Sequence, residues 1–378
     1  MRRKIYQELL QWKQRSGESA LLVQGARRVG KSYIVEAFAK AEYKSYILID
    51  FNLVDQPVKE MFEHDLVDLK TFFMKLTTYY GVKLYERESL IIFDEVQLFP
   101  RARSAIKYLV ADGRYDYIET GSLISIRENV KDILIPSEED HVDMYPLDFE
   151  EFLWANGNDT MMDFIRDCYR KKAPLGQALH RKAMDLFRQY LIVGGMPQAV
   201  NAFVKHNDFD EVDRVKRRIL NLYRDDIRKH AKGYEMKVEA IYDEIPSQMK
   251  NQNQHFKLSS LKQGARFDEY KDAMFWLSDA MIVNHCYNAT EPTFGLNLNR
   301  DRTLLKCYMG DTGLLISHAF DENGIVTGEV YKKLLLDKLE VNMGMVMENM
   351  VAQMLTASGH KLYFYSNSSR SDASSRME

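Results

Sequence analysis

Cysteine is scarce in this chain, with only Cys168, Cys286 and Cys307 among 378 residues. They lie far apart, form no C-x-x-C pair and are odd in number. That argues against a disulfide framework or a zinc knuckle and fits a reducing compartment. Long apolar runs are also missing. Nothing approaches the ~18 residues that a spanning helix needs, so no membrane partner is expected. The opening Met1-Arg2-Arg3-Lys4 is basic, but Gln7, Glu8 and Gln11 interrupt the stretch Ile5 to Trp12. Without an apolar core it does not read as a signal peptide, and the expected location is cytoplasmic. Charge of one sign is lacking too: 52 Lys and Arg against 55 Asp and Glu leave a net charge of -3. No bulk field therefore draws the chain onto nucleic acid or anionic lipid, which leaves only a local basic patch open. The nine histidines show no H-E-x-x-H or H-x-x-x-H spacing, against a transition-metal site. Internal repeats are absent, and the one low-complexity stretch, Ser366 to Ser375, reads as a flexible loop or tail.

What is present is ordinary globular composition, 46% hydrophobic and 28% charged. At roughly 150 residues per domain the length implies two or three domains. The first part alternates apolar runs (Ala20–Gln24, Tyr46–Asp50, Leu90–Asp94, Tyr115–Glu119 and a weaker His141–Tyr145) with helical patterns at Tyr33–Lys40, Asp65–Tyr80 and Arg103–Ala111. Strands separated by helices need crossover connections, hence a mainly parallel α/β sheet flanked by helices. Pro146 closes this region. We expect domains at 1-155, 156-235, 236-290 and 291-378. The second is a charged helical linker broken at Gly194-Gly195-Met196-Pro197. The third runs helix, turn, helix, hairpin, the layout of a winged helix. The last is a small α+β domain whose helix, with Val346/Met347, Met350/Val351 and Met354/Leu355, reads as a core face.

Gly25-Ala26-Arg27-Arg28-Val29-Gly30-Lys31-Ser32 matches G-x-x-x-x-G-K-[ST] at every fixed position, after a strand and before a helix. Two glycines let the loop fold tightly, so that its backbone N–H groups point at phosphate oxygens. The helix opening near Lys31, with Tyr33 in its first turn, adds its positive dipole end. Lys31 is placed to reach β- and γ-phosphates and the Ser32 hydroxyl to ligate Mg²⁺. A chance match in a chain this long is roughly a one-in-a-hundred event. Leu90-Ile91-Ile92-Phe93 then delivers Asp94 and Glu95 to a strand end. Asp94 fits a metal or its water, and Glu95 fits polarising the water that attacks the γ-phosphate. Alone, such an acidic strand end is weak; downstream of the loop it completes a P-loop NTPase site. Thr120 or Ser122 at the next strand end fits a γ-phosphate sensor, and Thr-Gly-Ser fits an ordinary turn equally well. No N-K-x-D base-reading motif is present, which favours ATP over GTP.

Together, Trp12, Gly25 to Ser32, Asp94-Glu95-Val96-Gln97, Thr120-Gly121-Ser122 and Tyr145-Pro146-Leu147-Asp148-Phe149-Glu150-Glu151-Phe152 resemble the prokaryotic AAA-type ATPases fused to a C-terminal domain of unknown function. Gly194 to Pro197, Asp311-Thr312-Gly313-Leu314 and Glu348 to Ala352 resemble that second domain. The resemblance covers nearly the whole chain. It implies an ATPase with its catalytic Glu beside Asp94, a winged-helix middle and a restriction-endonuclease-like C-terminal part. Two departures stand out. Many relatives carry a Gly-Arg pair before the Pro-Leu-Asp-Phe segment, where this chain reads Ile135 to Asp140. Arg27, Arg28, Arg127 or a second subunit is then left to supply an arginine worth roughly 10³–10⁵ in rate. Relatives also continue into an acidic strand and a lysine, whereas this sequence reads Arg376-Met377-Glu378, so no nuclease is expected.

The sequence thus predicts a protein that binds ATP and Mg²⁺ and hydrolyses ATP to drive a switch in its C-terminal domains. The alternatives are an ATP-gated DNA-binding regulator or defence component, and a non-hydrolysing nucleotide scaffold. Lys250, Lys257, Lys262, Arg266 and Lys271 fit DNA, against Asp268, Glu269, Asp272 and Asp279. Arg214 to His230 reads as an ion-paired helix face. A protein partner and homo-oligomerisation both remain open.

Overall fold

The computed structural model describes residues 1–15, 17–121, 137–251, 255–320 and 343–366. Ser122, Arg127 and most of the serine-rich tail lie outside them. The chain divides into two compact units, Arg2–Tyr145 and Pro146 onward. No helix among the described residues is long and apolar enough to cross a membrane.

The first unit is built on β1 (Ala20–Gln24), β2 (Ser45–Asp50), β3 (Ser89–Asp94), β4 (Asp116–Gly121) and β5 (Glu139–Asp143). They pair in the order β2-β3-β4-β1-β5, every neighbour parallel. The register aligns Gln24 with Gly121 and Asp143, and Asp50 with Asp94, so the carboxyl ends share one edge. Among the described residues, helices α1 (Ile5–Gln14), α2 (Lys31–Glu42), α3 (Gln56–Glu60), α4 (Leu69–Tyr80) and α5 (Pro100–Asp112) also belong to the unit. β3 is buried at every residue, as expected for a central parallel strand covered on both faces. Phe51, Phe62, Phe72 and Phe93 meet edge to face under α4 and α5, adding specific ring contacts to the area they bury. Element ends follow local chemistry: the Asp68 carboxylate accepts from Lys70 N–H at the start of α4. Gly81 and Gly113, both at positive φ, end α4 and α5.

The second unit opens with a capping box. Asp148 accepts from Glu151 N–H and Glu151 accepts from Asp148 N–H, starting the helix Phe149–Ala155. Helices Met161–Lys171, Gln177–Val193, Pro197–His206 and Phe209–His230 follow, with Gly194 at φ 77 making the break before Pro197. The charge-dense helix Phe209–His230 is ion-paired: Arg217 meets Asp213 at 2.6 Å, and Arg224 meets Asp243 and Arg228 meets Glu239, both at 2.9 Å. Helix Glu235–Lys250, a short turn at Leu258–Ser260 and helix Phe267–Asp279 lead into the antiparallel pair β6 (Val283–Ala289) and β7 (Arg300–Met309). β8 (Leu362–Phe364) adds to β6 in parallel.

The apolar stripe expected in 346–355 faces the core only in part. In the helix Met343–Ala357 the buried side chains are Met345, Val346, Asn349, Met350, Ala352 and Gln353, whereas Met347, Val351 and Leu355 are exposed. Two amides turn the helix. Gln353 Oε1 accepts from Thr312 N–H at 2.8 Å and its Nε2 donates to Tyr190 Oη at 3.1 Å. Asn349 Nδ2 donates to Thr312 Oγ1 at 3.0 Å. Gln353, bonded through both ends of its amide, and Asn349, held through Nδ2, take core positions that side-chain apolarity would assign to methionines.

Candidate nucleotide site

The site is assembled at the carboxyl edge of the first sheet, where β1, β3 and β4 end side by side. β1 runs into Gly25, where a Cβ would lie 2.3 Å from the Met144 carbonyl oxygen, so no other residue fits. Arg28 (φ 72) and Gly30 (φ 98) give the loop its left-handed turns, and Gly30 leads into α2. Ala26, Val29 and Lys31 are buried, Ser32 is half-buried, and Arg27, Arg28 and Tyr33 are exposed. Lys31 folds back over its own loop, Nζ donating to Gly25 O at 3.0 Å and Ala26 O at 3.1 Å.

Ser32 Oγ donates to Asp94 Oδ1 at 2.7 Å, although the two are far apart in sequence. Thr120 Oγ1 donates to the same carboxylate oxygen and accepts from Glu95 N–H at 3.3 Å. β4 lies between β1 and β3, which puts fully buried Thr120 between the loop and the acids. Glu95 has left-handed backbone, φ 53 and ψ 45, which turns its carboxylate out of the line of β3; Gln97 Nε2 donates to Glu95 Oε2. Of the sequence-derived residues, the structure thus brings Ser32, Asp94, Glu95 and Thr120 into one hydrogen-bonded group beside the loop. Ser122 and Arg127 fall outside the described residues.

Ser32 and Asp94 offer two hard oxygen donors 2.7 Å apart. Neighbouring oxygens on a Mg²⁺ with bonds of 2.0–2.1 Å stand about 2.9 Å apart, so the pair fits that ion. Among the described residues no group of three or more His, Cys, Asp or Glu could hold a metal. Mg²⁺ commonly takes its other ligands from phosphate and water.

Three features were given no role by the sequence. Arg3 is buried and donates to Val29 O at 3.0 Å, within the loop. Gln97 holds Glu95; its only signal was its place in the Asp94–Gln97 run. Beneath the sheet, Arg103 binds Glu139 through two donors, at 2.8 and 3.3 Å, and lies 3.7 Å from Glu119. Glu119 is fully buried, and burial first, then the charge of Glu139, holds its pKa well above the usual carboxylate value, against the pull of Arg103. The folded state therefore keeps a proton that the unfolded chain loses near pH 4.5, so stability falls as pH rises from there toward the raised value. Relative to Glu119→Gln, the wild type should lose stability as pH rises above about 5, with a slope of up to about 1.4 kcal/mol per pH unit, read by urea denaturation. Parallel profiles would mean that Glu119 is ionised in the fold.

A phosphate-loop motif, a helix start and strand-end acids at one edge of a parallel sheet define the class: the first unit has the P-loop NTPase fold. Residues 17–153 match the family model described as AAA domain. Residues 184–323 match a domain of unknown function (DUF8612). Among solved structures, the Walker-type ATPase paby2304 of Pyrococcus abyssi is 13% identical over 84% of this chain and 95% of that one, with a TM-score of 0.48. The ORC1 protein of Aeropyrum pernix, solved in complex with DNA, is 10% identical over 86% and 94%, with a TM-score of 0.31. The RuvB Holliday junction branch migration motor of Thermotoga maritima is 11% identical over 77% and 90%, with a TM-score of 0.33. At these identities the likeness concerns the fold alone. No curated protein matches the chain.

Proposed function

We propose that the unit Arg2–Tyr145 binds ATP with Mg²⁺ and hydrolyses it. The observation that carries this reading is the 2.7 Å contact between the loop hydroxyl of Ser32 and the strand-end carboxylate of Asp94. Ser32 and Asp94 would hold Mg²⁺, which neutralises charge on the phosphates when bound. The backbone N–H groups of Gly25 to Ser32 cradle the phosphates, and Lys31 gives up its loop carbonyls to reach them. Glu95 polarises the attacking water, held by Gln97 and by the Thr120 hydroxyl on its N–H. Thr120 fixes both acids relative to each other. Ser122 stays a candidate γ-phosphate sensor, and Arg27 and Arg28 stay candidate charge stabilisers. Tyr33, 62% exposed in the first turn of α2, is available to line the nucleotide.

For the second unit we read Glu235 to Met309 as a winged-helix module whose state follows the nucleotide. The helix Phe267–Asp279 exposes Asp268, Glu269 and Asp272 beside Lys271, charges that disfavour a phosphate backbone and favour a protein partner. Exposed Lys257, Lys262 and Arg266, ahead of that helix, keep DNA as the second reading.

The deciding experiment measures phosphate release from ATP by the full chain, with Mg²⁺ or with EDTA, and with or without duplex DNA at low salt. Mg²⁺-dependent release without DNA retention is expected. Absence of both release and ATP binding would overturn the nucleotide reading, and salt-sensitive DNA retention would overturn the preference for a protein partner.

A further inference from the structure

The guanidinium of Arg3 spans two main-chain carbonyls from distant parts of the first unit. Nη1 donates to Val29 O at 3.0 Å in a buried contact, and Nη2 donates to Tyr145 O at 2.6 Å. Arg3 itself is 7% exposed. Its two acceptors differ in kind. Tyr145 follows β5, and the adjacent Met144 N–H donates to Gln24 O at 2.7 Å, so that end is anchored to the sheet. Val29 belongs to the phosphate loop.

The peptide joining Val29 to Gly30 is planar and trans, so its C=O and N–H point in opposite directions. Fixing Val29 O on Arg3 therefore fixes Gly30 N–H on the side away from Arg3. That peptide can flip at low steric cost, because Gly30 lacks a Cβ and already sits at φ 98. A flip would aim a carbonyl oxygen at an incoming phosphate in place of an N–H donor.

We propose that Arg3 is a positioning residue that locks the Val29–Gly30 peptide, and with it the phosphate loop, in the form that receives nucleotide. The inference rests on the ATP reading above. Two donors in one rigid plane suit this task, whereas a lysine ammonium at the end of a flexible stem reaches one carbonyl well and not both.

The test compares the full-length wild type with Arg3→Ala and Arg3→Lys. It reads ATP affinity by isothermal titration with Mg²⁺, KM and kcat by phosphate release, and the melting temperature without nucleotide. Loss of a buried charge-assisted hydrogen bond to the loop should raise both Kd and KM in Arg3→Ala by roughly ten- to a hundredfold. kcat should stay within about threefold, because neither Asp94 nor Glu95 touches Arg3. Arg3→Lys should fall between the two, and it carries the test if Arg3→Ala does not fold. A lower melting temperature with unchanged affinity would make Arg3 merely structural and overturn the proposal. Unchanged Kd and KM in Arg3→Lys would overturn it as well. A wild type that binds no ATP would sink the nucleotide reading and the Arg3 role together. Binding by the wild type and equal binding by Arg3→Ala would sink only the second.

Discussion

Glu95→Gln should lower phosphate release by at least about 10²-fold and leave ATP affinity within a few-fold. The substitution preserves size, and the left-handed backbone at φ 53 and the N–H bond to Thr120 Oγ1 need no change. What disappears is the negative charge that the proposed mechanism uses to polarise water. Asp94 keeps its contacts with Ser32 and Thr120, so the groups proposed to hold metal and phosphate are untouched. The loss should therefore appear in kcat and not in binding, as befits an interaction made only in the transition state. Single-turnover release alongside ATP titration separates the two quantities. Turnover within about threefold of the wild type would remove Glu95 from the chemistry and leave Asp94 as the only acid to consider. Abolished binding would show instead that the carboxylate shapes the loop.

The loop motif and the two strand-end acids were legible in the sequence because each residue type does something local there. Glycine permits left-handed backbone, lysine and serine are residue types suited to phosphate and metal, and an apolar run buries a strand up to its terminal acid. The alternating strand and helix patterns carried the parallel sheet for the same reason. Strand order was not legible, since nothing in the periodicity of β4 says that it inserts between β1 and β3. The position of Thr120 on the Asp94 carboxylate follows only from that insertion. Arg3 was hidden for a related reason: its partners are main-chain carbonyls, which every residue has, so no pattern marks them. The helix Met343–Ala357 misled in the opposite way. Its methionines drew attention to apolar spacing, while Asn349 and Gln353 took core positions through hydrogen bonds to Thr312 and Tyr190.

Asp311→Ala should cost about 3–5 kcal/mol of stability, on the order of 10 °C in melting temperature. Asp311 is 1% exposed and each of its oxygens is used. Oδ2 accepts from Gly195 N–H at 2.6 Å, and Oδ1 accepts from Leu314 N–H at 2.9 Å, capping the helix Thr312–Ala319. The chain packs closely around it: a Cβ on Gly194 would lie 2.3 Å from Asp311 Oδ1, and one on Gly195 would lie 2.0 Å from Leu147 O. Lys216 is fully buried nearby and donates to Ile192 O at 2.8 Å. Burial pulls its pKa down to about 8, and the charges of Asp213 and Asp311 oppose that pull. Truncation would strand two backbone donors and withdraw one of the two carboxylates that keep the lysine protonated. Asp311→Asn retains one acceptor oxygen and should lose less than the alanine variant. Urea denaturation of the three proteins at pH 7 reads the order directly. A loss below about 1 kcal/mol in Asp311→Ala would show that water or the relaxed 194–196 turn replaces the carboxylate, and that Asp213 alone holds the Lys216 charge.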